Sequence, residues 1–180
     1  MAFIDYLPFD EIPPADQVKD RDNIIQIHGI HSRVLRLHYD LYVELMHGES
    51  PLSLVEREMV GVCVSALNGC HYSTVHHQRG LRRGLKKAKR NEAEIETVLR
   101  VLSDGSGKFP DLADIFSARE IAILRYSVKL TKTPATIESA DVNELRENGL
   151  NDRAIHDLAC VVGYFAFVNR VADGLGVQVE

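Results

Sequence analysis

Four residues in the first half of the chain have types and spacing that could do chemistry: Glu58, Cys70, Ser73 and His77. An ionised thiol is a nucleophile and a redox atom. An imidazole gains and loses a proton near neutral pH, and a carboxylate beside it fixes its tautomer and raises its basicity. A hydroxyl donates one hydrogen bond and accepts others. Side chains three and four apart on a helix are neighbours, so Cys70, Ser73 and His77 would form a row of thiol, hydroxyl and imidazole. Cys70 and His77 then share a face but lie roughly 10 Å apart along the axis, so Ser73 would bridge them. His76 competes for the same hydroxyl, and Tyr72 flanks it. A cysteine at position 73 would complete a C-x-x-C dithiol followed by a histidine, which is a redox signature. The serine there removes one thiol and cannot itself be oxidised to a sulfenic acid.

The elements that must position this row are helices. Residues 1–22, with Pro8, Pro13 and Pro14, are expected as an N-terminal arm, and residues 23–180 as one helical domain. A first long helix is expected over 23–47, capped by Asp20 or Asp22 and closed by a left-handed Gly48. Ile24, Ile27, Ile30, Val34, Leu37, Leu41 and Leu45 recur there at helical spacing. Ser53-Leu54-Val55-Glu56 is a capping box that opens a second helix, which carries Glu58 and ends at Asn68-Gly69. The helix after it starts at Cys70, placing the thiol at a helix N-terminus where the dipole favours the thiolate. Asn91, Ser117 and Asn151 cap later helices, and a short one spans 139–147. Ser53…Glu58 and Ser117…Glu120 echo each other, either as a duplicated unit or as two ordinary capping boxes. No β-strand pattern survives, so the fold class is all-α and single-domain.

Composition narrows the function classes. The chain has 180 residues, 45% hydrophobic and 26% charged, with a net charge of -5. That acidic balance speaks against a nucleic-acid partner; the basic run from Arg79 to Arg90 reads as a solvated helix face. No export signal is apparent, and the apolar run from Leu158 to Val168 is short for a bilayer, so no membrane partner is expected. Three cysteines without such a signal point to free thiols in a cytoplasmic protein. Cys63 and Cys160 read as small buried hydrophobes. Eight histidines raise the question of metal, including a zinc site from Glu58, Cys70 and His77. No H-x-x-x-H or H-E-x-x-H pattern supports it, so no metal and no cofactor are expected.

Glu58-x11-Cys70-x2-Ser73-x3-His77 resembles the Glu-x11-Cys-x2-Cys-x3-His signature of the alkyl hydroperoxidase D and carboxymuconolactone decarboxylase superfamily. The segment from Phe165 to Val177 is similar to that of its peroxidase-related subgroup. The resemblance implies an alkyl hydroperoxidase D-like all-helical fold, a homo-oligomer and a peroxidase-type site. In such sites the second cysteine attacks the peroxide, the first resolves it as a disulfide, and Glu and His relay protons. By position, Glu58, Cys70 and His77 match and Ser73 replaces the attacking thiol. The expected function is an antioxidant oxidoreductase that reduces hydroperoxides through Cys70, with an external thiol as reductant. Glu58 and His77 would manage protons, Ser73 would hold the row, and His76 and Tyr72 would help bind. Two alternatives stay open: a non-redox lyase like the carboxymuconolactone decarboxylase branch, and a degenerate scaffold that binds a small ligand without turnover.

Overall fold

A computed structural model describes residues 2–109 and 114–180. Among these residues it contains helices and no strand. In chain order the α-helices are α1 Asn23–Gln26, α2 Ser32–His47, α3 Leu54–Leu67, α4 His71–Lys87, α5 Glu92–Ser103, α6 Ala118–Lys132, α7 Ser139–Glu147 and α8 Asp152–Leu175.

α3 is the axis of the molecule. Every residue from Glu56 to Ser65 is buried, and α3 packs against α4, α5, α6 and α8. The run from Met59 to Val64 carries no polar side chain and so has no solvent face to present, and the helix is enclosed there. On one side Val60 and Val64 meet Ile123, Leu158, Val161 and Phe165 of α6 and α8. On the other, Met59, Val62 and Cys63 meet Leu81, Leu85, Ile95 and Leu99 of α4 and α5. Each such side chain contributes about 1.5–3 kcal/mol on burial. α8 has the length and mean hydropathy, 1.4, of a membrane span. Here Leu158, Val161, Val162, Phe165 and Val168 belong to the core.

The turn between α3 and α4 sets the site. Gly69 has φ 76°, a left-handed conformation that glycine takes without strain. The Cys70 amide donates to the Ser65 carbonyl at 2.9 Å and the Gly69 amide to the Ala66 carbonyl at 3.0 Å, a Schellman closure that satisfies carbonyls at the end of α3. Asn68 donates to Asn169 Oδ1 at 2.9 Å, and Asn169 in turn donates to Ser65 Oγ at 3.1 Å. The turn is thereby tied to α8.

Three expectations are corrected at the first long helix. It is not continuous: α1 gives way to a 3₁₀ segment, Ile27–His31, before α2 begins. A Cβ on Gly29 would lie 2.7 Å from the Leu7 carbonyl oxygen, so the arm crosses the helix there at a distance only glycine allows. His31 then caps α2, its Nδ1 accepting from the Val34 amide at 3.3 Å. Asp22 occupies the N-cap of α1 but its side chain makes no capping bond; it faces His76 instead. Gly48 is extended, φ -67° and ψ 171°, rather than left-handed. A Cβ there would crowd the Glu44 carbonyl oxygen at 2.5 Å, so close approach explains the glycine.

Candidate functional site

α3 supplies Glu58 and α4 supplies Ser73, His76 and His77. The antiparallel return at Gly69 lays these helices side by side, so residues 19 apart in sequence meet. His77 Nδ1 lies 2.7 Å from Glu58 Oε2, with both side chains more than nine-tenths buried. A carboxylate only accepts, so the imidazole donates from Nδ1 and keeps a bare lone pair on Nε2. That tautomer is the one a general base needs.

Two glycines make the pair possible. A Cβ on Gly80, one turn beyond His77, would collide with the Glu58 carboxylate, 2.6 Å from Cδ. A Cβ on Gly61 would lie 2.7 Å from the Phe165 ring and 3.3 Å from His77 Cγ. Phe165 itself stands edge-on to the imidazole, with ring centroids 4.6 Å apart at 89°. The pair is therefore held between a carboxylate slot and an aromatic wall.

Ser73, His76 and His77 open onto one pocket with Tyr42, Tyr72, Tyr164, Asp20, Asp22, Ile24, Ile25 and Val168. Its free volume is about 30 Å³, and one water needs roughly 10–15 Å³ on this measure. His76 Nδ1 lies 3.6 Å from Asp22 Oδ2. Burial holds His76 below the ordinary imidazole range, with the neighbouring His77 adding to it. Burial, then Asp20 and Glu180, push the Asp22 carboxyl up to about 6. Tyr72 donates to Glu180 Oε1 at 2.9 Å and accepts from the Ile24 amide at 3.3 Å. It thus fastens the pocket-lining Ile24 to the C-terminal segment.

Cys70 lies apart from this pocket. It is the N-cap of α4 but its side chain makes no capping bond. The residue is fully buried, in a cluster with Ile27, Tyr72, Ala172 and Val177. Burial raises its thiol pKa, while the amide and hydroxyl of Ser73 oppose the shift. Ser73 lines the pocket with His76 and His77, while Cys70 lies outside that lining, with Ser73 and Asp173 as its polar neighbours in an otherwise apolar cluster. Cys63 is buried and pushed up to about 12, and Cys160 is part-exposed near His156, not the buried hydrophobe expected. All three thiols are free. Among the described residues no group of three acidic, histidine or cysteine side chains is placed to hold a metal ion.

Sequence reasoning missed Tyr42, Tyr164, Phe165, Gly61, Gly80, Asp20 and Asp22. Gly80 could have been suspected, since a glycine inside a helix costs about 1 kcal/mol unless packing requires it. The tyrosine and phenylalanine inside the run from Leu158 to Val168 carried no separate signal.

The family model of the carboxymuconolactone decarboxylase family matches residues 34–107. A peroxidase-related protein from Silicibacter sp. TM1040, described as uncharacterized, is 30% identical with a TM-score of 0.80, over 97% of this chain and 90% of that one. An uncharacterized peroxidase-related protein from Ralstonia eutropha JMP134, an alkylhydroperoxidase AhpD core, is 23% identical with a TM-score of 0.81, over 99% of this chain and 92% of that one. The debrominase Bmp8 has the same fold at 16% identity and a TM-score of 0.70, over 88% of this chain and 77% of that one. A search of curated protein sequences found no significant match. The Glu58–His77 pair on adjoining helices and the full-length likeness to the Silicibacter protein agree: the chain belongs to the alkyl hydroperoxidase D-like and carboxymuconolactone decarboxylase superfamily.

Proposed function

We propose that this protein is a non-redox acid–base enzyme of its superfamily, acting on a small polar molecule in the pocket beside His77. The observation that carries this reading is the buried 2.7 Å bond from His77 Nδ1 to Glu58, with Ser73 in the same pocket and Cys70 outside its lining. His77 Nε2 takes a proton from the ligand, and Glu58 stabilises the imidazolium that forms. The proton then returns to the product, so no electrons are transferred. Ser73 hydrogen-bonds the reacting group. This chemistry suits isomerisation or decarboxylation next to a carbonyl, as in the lyase branch of the superfamily.

A second reading is favoured by one contact. Ser73's amide and hydroxyl work against the burial that raises the Cys70 thiol, which suits a one-thiol peroxidase using an external thiol. One experiment separates the two. The purified protein is given hydrogen peroxide with sulfenic-acid trapping, and separately a panel of small lactones and β-keto acids. The acid–base reading expects turnover in the panel that His77→Asn and Ser73→Ala abolish and Cys70→Ser leaves intact. Rapid trapping at Cys70, with peroxide consumption lost in Cys70→Ser and no turnover in the panel, overturns it in favour of the peroxidase.

A further inference from the structure

Tyr164 of α8 lines the same pocket as His77. Its hydroxyl meets one side chain among the described residues, His38 Nε2 of α2, at 2.8 Å and buried. Tyr42, whose ring centroid is 5.9 Å away, forms no hydrogen bond with it. His38 Nδ1 is buried with no partner, and His38 as a residue is only 4% exposed. The neighbouring His28 stands edge to its ring at 4.7 Å and offers no hydrogen bond to that nitrogen.

These contacts and the pocket beside Tyr164 favour one direction for the bond. A neutral imidazole carries one N–H and one bare nitrogen. If His38 accepted from Tyr164, its own N–H would sit on Nδ1, buried without an acceptor, which folded proteins rarely tolerate. If His38 donates from Nε2, the imidazole keeps only an unpaired lone pair, and the donor left over is the O–H of Tyr164, a residue that lines a pocket with room for water to accept it. Burial keeps His38 neutral, its pKa lowered to about 4. It also holds the Tyr164 phenol well above its ordinary value, so the proton stays on oxygen.

We propose that Tyr164, oriented by His38, is the pocket's hydrogen-bond donor to an acceptor oxygen of the ligand. The inference rests on the acid–base reading of His77 and names its substrate class. The pocket then presents both a base, His77 Nε2, and a neutral donor, the Tyr164 hydroxyl. Such a pair fits a small compound with an acidic proton next to a carbonyl-type oxygen. His77 would take the proton while Tyr164 steadies the charge that develops on that oxygen. Tyr164 contacts ligand; His38 is a positioning residue.

Two measurements test this. Histidine side-chain ¹⁵N spectra of the free protein report the tautomer of His38. The expected form carries its proton on Nε2, and that resonance shifts in Tyr164→Phe; a proton on Nδ1 overturns the proposal. Calorimetric titration with acetohydroxamic acid, a neutral probe with an acidic proton beside a carbonyl, tests the donor. Tyr164→Phe keeps the ring packing and is expected to bind about 3- to 10-fold more weakly, the loss of one hydrogen bond. Unchanged affinity, or no binding by the wild type, overturns the donor role. His77→Asn separates this from the underlying reading. If only His77→Asn loses binding, the base stands and the Tyr164 role falls. If only Tyr164→Phe does, the donor stands and the His77 reading fails.

Discussion

At the scale of single residues, the candidate site is a problem of room. Glu58 can reach His77 only because position 80 carries no side chain. Gly80→Ala would ordinarily strengthen an exposed helix by about 1 kcal/mol. Here it is expected to destabilise, by roughly 1–3 kcal/mol, because the methyl group overpacks a buried carboxylate. The check is thermal unfolding, together with loss of the His77 Nδ1–H signal by NMR; an intact signal and a raised Tm would refute it. His38 gives a prediction in pH. Its folded pKa of about 4 lies below the ordinary 6.5. The unfolded chain therefore takes up a proton that the fold refuses. The stability it contributes is fully present above pH 6.5 and is lost as pH falls toward 4, by at most about 3 kcal/mol. Asp22 works in the opposite sense, because its raised carboxyl pKa favours the fold at low pH. The contrast between wild type and His38→Gln in urea unfolding at pH 7 and pH 4.5 isolates His38. The expected result is a smaller acid loss in the variant.

At the scale of elements, much of the fold was legible because helix ends carry local chemistry. Ser53 with Glu56, Asn91 with Glu94 and Ser117 with Glu120 all form the reciprocal bonds of a capping box. Those helices begin where the sequence places them. The 3₁₀ break was not legible, since it arises from the passage of Leu7 across Gly29, a contact between distant residues. For the same reason Glu58, Ser73 and His77 could be proposed from spacing and resemblance, while the separation of Cys70 from the pocket could not. Cys70 belongs instead to a buried cluster with Ile27, Ala172 and Val177, residues far from it in the chain. Tyr164 and His38 lie 126 residues apart, and no sequence pattern joins them. The cap at Ser53 carries more than a helix end, because its partner Glu56 also accepts from Arg119 at 2.7 Å. Ser53→Ala is expected to cost about 1 kcal/mol. Denaturant unfolding checks this, with a shifted midpoint and an unchanged m-value as the expected result.

At the scale of the whole molecule, one helix face is left uncovered by the described residues. Ile30 of the 3₁₀ segment and Leu37 and Leu41 of α2 are about half exposed or more, at 65%, 53% and 48%. Within α2, Val34, Leu37 and Leu41 recur at intervals of three and four residues, the spacing of a packed helical seam. Phe167 of α8 extends the patch: it is 45% exposed, and its ring stands edge-on to His38 of α2 at 5.7 Å. One turn before it, a Cβ on Gly163 would meet nothing within 4 Å. A contiguous apolar face of this kind costs solvent exposure unless it is covered. We propose that a second copy of the chain covers it, α2 against α2, since a self-complementary seam needs no charge matching with another protein. Sedimentation or light scattering should then give a mass that is a multiple of the 20.2 kDa chain. Leu37→Glu with Leu41→Glu should reduce it to one chain while circular dichroism stays helical, because both side chains lie on the face away from the core. A wild-type protein already running as a single chain would sink the proposal, and so would a double variant that assembles unchanged.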